Sequence, residues 1–352
     1  MSVAPSHMKY RFLGNTGLLV SRLSFGSWVT FDTQLDFEKA YGIMEHAYKQ
    51  GINFFDNAEV YENGRSELIM GKVVKAGVER GAWSREDLVI STKLFFGTQP
   101  GPNHGGNSRK HIVEGMKASL KRFDLEYVDL VFCHRADPFT PMEETVRFVR
   151  AMNYVIEQGW AFYWGTSEWN AQEIIEACEI ADRLGLIRPV FDQPQYHMLE
   201  RSRVEFDFDV LYKKYNYGLT TWSPLASGVL TGKYSKGIPE GSRLSLPSYK
   251  QMLSNGLEEK VAKVDKLTEI ANELGCSMAQ LAIAWVASNP HVSTVILGAT
   301  SIKQLDENLK SLEFADKITP EVRAKIDAIA DFRAKLVTDP EPHVLKLRNQ
   351  YL

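Results

Sequence analysis

Residues 52–64, INFFDNAEVYENG, decide how this chain is read. A short apolar run ends on a carboxylate, Asp56, and a phenol, Tyr61, follows five residues later. A run that is apolar at consecutive positions fits a strand buried on both faces, as in a parallel sheet. Seven more runs of this kind lie at 23–25, 88–93, 128–134, 161–165, 190–193, 218–222 and 294–298.

Helical patterns fill the gaps. Asp36 is placed to cap a helix whose Ala40, Ile43, Met44, Ala47 and Tyr48 share one face, with Gly51 as its stop. Thr140-Pro141-Met142-Glu143 reads as a capping box with proline at the first helical position. Asn170 with Glu173, Ser277 with Gln280, and Ser301 with Gln304 give the same start signal. Leu257, Val261, Val264, Leu267, Ala271 and Leu274 line one face of a further helix that Gly275 stops.

Eight strand–helix units predict a closed (β/α)8 barrel, for which ~250 residues is typical. The chain has 352 residues. The surplus is assigned to an N-terminal hairpin over 9–20 turning at Gly14-Asn15-Thr16-Gly17, a Gly/Pro/Ser-rich loop over 235–256 after the seventh strand, and a polar tail beyond Asp331. A single domain over 1–352 is expected, with its core at about 9–317 and a C-terminal helix and tail over 318–352. A doubly wound open sheet is the alternative; against it, no GxGxxG follows the first strand.

Composition narrows the function. The net charge of −3 offers no basic footprint for nucleic acid. Cys133, Cys178 and Cys276 show no metal or redox spacing, which suits a reducing compartment. The opening MSVAPSHMKY lacks the regions of a signal peptide, and no stretch approaches the ~18 apolar residues of a spanning helix. A cytoplasmic protein without membrane insertion is expected.

In a barrel the reactive groups sit at the C-terminal strand ends. Asp56 ends the second run, Lys93 the third (VISTK) and His134 the fourth (VFCH), with Tyr61 in the loop after the second. Each alone has an ordinary explanation, because strands often end in polar residues where they meet water. Together they are complementary. A phenol has a pKa of about 10. A neighbouring ammonium favours its phenolate and lowers that value. A carboxylate keeps the ammonium charged and placed. A histidine can donate a hydrogen bond to a substrate oxygen. The set is a proton donor aimed at a developing alkoxide, as carbonyl reduction requires.

These segments resemble the aldo-keto reductases over roughly residues 9–317. The likeness is greatest to the branch of voltage-gated potassium-channel β-subunits. SRKHIVEGMKASLKRFDLEYVDLVF, TPMEETVR, YWGTSEW, QYHML, TWSPLASGVLTGKY and LAIAW carry it. The resemblance implies NADPH bound across the barrel mouth and an aldehyde or ketone substrate. Tyr61 would be the general acid, Lys93 and Asp56 would lower its pKa, and His134 would orient the carbonyl. Animal channel β-subunits carry asparagine in place of this histidine, so His134 favours turnover. The rival function is a regulatory channel subunit that binds NADPH with little turnover. A structural oligomer is a third reading, and a homotetramer is implied by the channel branch.

By position in the family, Ser167 and Gln193 would hold the nicotinamide carboxamide, and Trp222 would stack on its ring. Ser27, Trp28 and Asp56 would border it. Ser223, Pro224, Leu225 and Ser227 would meet the pyrophosphate, with Lys233 and Arg243 clasping it from the long loop. In GATSIKQLDEN, Gly298, Thr300 and Gln304 match the 2'-phosphate site, Glu307 and Asn308 the adenine contacts, and Lys303 would add charge. The substrate pocket would be lined by Trp28, Phe31, Phe95, Phe96 and Tyr61. One position departs from the pattern. Channel β-subunits have arginine after the matching serine and many reductases asparagine, whereas this chain has Glu168. If it faced the cofactor it would repel phosphate, leaving NADPH over NADH unsettled.

Overall fold

The computed structural model describes residues 8–28, 30–31, 34–140, 142–240, 242–245, 256–335 and 342–350, without the side chains of 142–148, 243, 342–343 and 348. Ten strands occur among them. β1 (Tyr10–Phe12) and β2 (Leu19–Ser21) form an antiparallel hairpin. The other eight close a parallel barrel: β3 (Leu23–Gly26), β4 (Phe54–Asp56), β5 (Val89–Leu94), β6 (Leu130–Cys133), β7 (Tyr163–Thr166), β8 (Phe191–Asp192), β9 (Gly218–Thr221) and β10 (Val292–Leu297). β10 pairs with β3, Val295 opposite Leu23, and that seam completes the ring. The expected (β/α)8 barrel with an N-terminal hairpin is borne out, and the open sheet is excluded.

Helix starts follow the local chemistry. Asp36 accepts from Lys39 N at 3.0 Å and opens α1 (Phe37–Lys49), and Gly51 follows its end at φ +91°. Asn170–Glu173 and Ser277–Gln280 form reciprocal capping boxes. Ser301 caps its helix, but Gln304 turns its side chain back to Thr300 instead. The box over 140–143 lies partly outside the described residues, as does most of the loop after β9. Beyond Asp331 the tail contains a helix, Pro342–Asn349, that its polarity concealed; Val344 anchors it in the core. No single helix among the described residues is long and apolar enough to cross a membrane.

Two hydrophobic regions hold the architecture. The larger lies between barrel and helices. The smaller fills the barrel floor with Phe54, Val89, Leu130, Phe132 and Phe191, and the hairpin plugs it from below with Leu13 and Val20. Strand alternation then sets what lies above. Side chains two apart share a face, so the face that buries Phe54 carries Asp56, and that of Val89 carries Ser91 and Lys93. The apolar floor thus becomes a polar layer at the C-terminal mouth.

Candidate active site

Lys93 is fully buried at the top of β5. Its Nζ donates to Asp56 Oδ2 at 2.6 Å, to the carbonyl oxygen of Asn57 at 2.8 Å and to Tyr61 Oη at 3.0 Å. Those three bonds use all the donors of an ammonium. Asp56 Oδ1 accepts from Ser91 Oγ at 2.9 Å and Gln193 Nε2 at 3.0 Å. The buried pair is therefore hydrogen-bonded on both sides, the condition under which such a pair is tolerated. The His134 ring meets that of Tyr61 edge-on, centroids 6.0 Å apart, and that of Phe96 at 5.1 Å. The three residues read from strand ends and Tyr61 from the following loop do converge.

The charge balance corrects one expectation. Burial raises the Tyr61 pKa above its ordinary value, and the net shift is upward. Lys93 and Arg135 pull it down, but Asp56 pushes it up because a carboxylate opposes a second anion. Asp56 therefore lowers nothing directly; its part is to hold Lys93. Burial alone would depress the lysine, and Asp56 and Tyr61 outweigh that, leaving it raised. The resting site is an ammonium beside a protonated phenol.

Above these groups a cleft of about 990 Å³ runs across the mouth. Its size falls in the ordinary range for small-molecule sites, ~300–1,000 Å³. Trp28, Asp56, Tyr61, Phe96, His134, Ser167 and Gln193 line one end. Trp222, Ser223, Pro224, Leu225, Ser227 and Lys233 line the middle, and Gly298, Thr300, Lys303, Gln304, Glu307 and Asn308 the far end. Ser223, Ala226 and Ser227 have φ of +58°, +47° and +57°, so the middle turn bends sharply under the cleft. At the far end the helix Ile302–Leu309 presents its N-terminus, with Lys303 beside it. An aromatic end beside a phenol, a hydroxyl-rich turn with Lys233, and a helix N-terminus with Lys303 fit an extended dinucleotide carrying phosphates.

Four predicted residues do not line the cleft. Lys93 lies beneath it. Ser27 is fully buried and donates from Oγ to the Asp56 carbonyl at 3.0 Å, bracing the strand end. Phe31 and Phe95 are fully buried as well: Phe31 packs on Phe25 and Phe95 backs Phe96, so they support the pocket from behind. The rings that reach the cleft are Phe96, next to Phe95, and Trp28, three residues before Phe31. The side chain of Arg243 lies outside the described ones.

Glu168 turns away from the cleft. Its φ of +59° reverses the chain after Ser167, and its carboxylate pairs with Arg203. It also accepts from Gln195 N at 2.5 Å and from the Trp222 indole Nε1 at 2.9 Å. The feared repulsion is thus removed by geometry. Arg203 was missed because 35 residues separate it from Glu168, and nothing local joins them. Arg135 was missed too, although it adjoins His134; it lines the cleft and leans over the Phe96 ring. Glu59 was likewise unremarked. Its Oε1 accepts from Phe95 N at 2.8 Å, Gly97 N at 2.9 Å and His111 Nε2 at 3.0 Å, fixing the loop that presents Phe96.

Comparison with known proteins agrees with this geometry. The profile of the Aldo/keto reductase family matches residues 22–331, nearly the whole barrel. A protein of Arabidopsis thaliana named "Probable voltage-gated potassium channel subunit beta" is 56% identical over 330 residues, covering 93% of this chain and 98% of its own. A protein of the same name from Oryza sativa subsp. japonica is 55% identical over 330 residues with the same coverage. NADP(H)-dependent carbonyl reduction is the general activity of the matched family. With the profile spanning the barrel and the strand-end residues gathered at its mouth, the chain belongs to the aldo/keto reductase family.

Proposed function

We propose that this protein is a cytoplasmic, single-domain enzyme that reduces aldehydes or ketones to alcohols with NADPH, with Tyr61 as proton donor. The observation that carries the reading is the buried chain from Asp56 Oδ2 through Lys93 Nζ to Tyr61 Oη, at 2.6 and 3.0 Å. NADPH, when bound, supplies the hydride that the carbonyl carbon accepts and is itself oxidised. The carbonyl oxygen takes its proton from Tyr61 Oη. The phenolate left behind is stabilised by Lys93, which Asp56 keeps charged, and is reprotonated from solvent. His134, edge-on to Tyr61 at the same mouth, orients the carbonyl oxygen. Trp28 and Phe96 give the substrate an aromatic lining. Ser167 and Gln193 would hold the carboxamide, and the turn at 223–227 with Lys233 the pyrophosphate. The helix opening at Ile302 would receive the 2'-phosphate.

The test is oxidation of NADPH and NADH at 340 nm with 4-nitrobenzaldehyde, beside Tyr61→Phe. Turnover with NADPH that the variant loses by ~10²-fold or more supports the reading. Equal turnover by the variant removes Tyr61 from the role. A second reading, a channel regulatory subunit with little turnover, is favoured by the names of the relatives. NADPH binding without turnover would bring it forward. Light scattering tests the accompanying proposal of a homotetramer, and a monomer would count against the channel reading.

A further inference from the structure

Trp222 follows β9 directly, and three elements fix its backbone and ring. Its N–H donates to the Pro194 carbonyl at 3.2 Å, and its carbonyl accepts from Tyr196 N at 3.3 Å. The Trp28 ring meets the indole at 90°, centroids 6.1 Å apart. The third restraint is polar. The indole Nε1 donates to Glu168 Oε1 at 2.9 Å, and the same oxygen accepts from Gln195 N at 2.5 Å. Arg203 holds Glu168 from behind through its carboxylate and through its carbonyl oxygen at 2.9 Å.

We infer that Glu168 is a positioning residue: its carboxylate sets the plane of the Trp222 indole and so shapes the surface on which the nicotinamide lies. The inference rests on the proposed NADPH reading. An indole has a single polar hydrogen. Once that hydrogen is committed to a charged acceptor, rotation about the side-chain torsions breaks a charge-assisted bond. Glu168 is itself 8% exposed and anchored by Arg203, so it does not follow the ring. Three strand ends, those of β7, β8 and β9, are thereby tied at one oxygen. The residue that departs from the family pattern thus acts on the cofactor through the platform beneath it and not by repelling phosphate.

The test uses the full chain in two measurements. In the free protein, the Trp222 indole ¹H–¹⁵N resonance is identified by its loss in Trp222→Phe. It should move in Glu168→Gln, where a neutral acceptor replaces the carboxylate. In NADPH titrations followed by cofactor fluorescence, Glu168→Ala should weaken binding about 10-fold and Glu168→Gln should restore most of it. In a Trp222→Phe background, which has no indole hydrogen, Glu168→Ala should change little further. An unmoved resonance, or an equal loss in both backgrounds, overturns the inference. A parent protein that binds no NADPH overturns the functional reading beneath it, a distinct result.

Discussion

Gln193 and Asp56 are 137 residues apart in the chain, yet Gln193 Nε2 donates to Asp56 Oδ1 at 3.0 Å. One amide therefore touches both the proposed cofactor floor and the carboxylate that holds Lys93. The site is a continuous hydrogen-bonded layer, and its predictions follow from which link is cut.

Removing the carboxylate leaves a buried ammonium without its counter-charge, a change that typically costs ~3–5 kcal/mol. Asp56→Asn should destabilise the protein by roughly 3 kcal/mol, and the double variant Asp56→Asn with Lys93→Met should be less damaged than the single. Urea unfolding reads both. An Asp56→Asn midpoint equal to the parent's would show that the pair carries no such charge.

The pH dependence of reduction follows from the raised phenol. Carbonyl reduction needs Tyr61 protonated, and its pKa lies above the ordinary value of about 10 because it is buried. The protonation of Tyr61 therefore leaves the rate level from pH 6 to 9, and the rate should fall only at higher pH. Alcohol oxidation needs the phenolate and should rise with pH over the same span. Steady-state profiles in both directions decide it. A reductive rate already titrating near pH 7 would assign the proton to another group.

Asp192 lies wholly buried outside the barrel wall, where Thr166 Oγ1 donates to its Oδ2 at 2.7 Å. Burial pushes its pKa up to about 7. Between the unfolded value, about 3.9, and that folded value, the native state binds a proton that the unfolded chain has lost. The contribution of Asp192 to stability is therefore best in acid and declines as pH rises to about 7, by up to ~1.4 kcal/mol per pH unit, then levels off. Asp192→Asn should remove that slope. Unfolding midpoints of both proteins at pH 5, 6, 7 and 8 give the comparison, and parallel curves would sink the assignment.

Gly165 in β7 faces the Phe191 side chain of the neighbouring strand. A Cβ there would lie 2.2 Å from Phe191 Cδ2 and 2.3 Å from the Phe191 carbonyl oxygen. Because backbone is among the obstacles, Gly165→Ala should force β7 and β8 apart and destabilise by ~1–3 kcal/mol. NADPH affinity should fall with it, since Ser167 and Gln193 stand just beyond. Calorimetry and titration together test this, and a variant normal in both would show that the strands have slack.

Much of this was legible because the strands announce themselves. All eight barrel runs match observed strands to within about three residues, since parallel strands buried on both faces are apolar at successive positions. The capping residues at Asn170 and Ser277 were readable for a similar reason: both partners lie within one turn. Of the reactive four, Asp56, Lys93 and His134 were legible from their places at strand ends and Tyr61 from the loop that follows the first of them. What escaped was depth and distance. Sequence does not distinguish Phe95 from Phe96, because strand exit angle decides which ring reaches the cleft. It does not link Glu168 to Arg203, or Glu59 to His111, because each pair meets only when neighbouring strands, β7 with β8 and β4 with β5, lie side by side. The direction of the Tyr61 shift also depends on burial, which no motif encodes.

The seam between β10 and β3 joins residues about 270 positions apart. Until Val292–Leu297 is synthesised, β3 and β9 each lack a neighbour, so a growing chain presents two open sheet edges. The ring thus shuts only once β10 has been made, and the same event aligns the strand that feeds the helix opening at Ile302. A chain arrested upstream of Val292 would keep Asp56, Tyr61, Lys93 and His134 in its sequence and yet have no closed mouth to hold them. The seam is the one barrel pairing between strands that do not follow one another in the chain, and a contact of such separation carries the largest loop-closure cost of the ring.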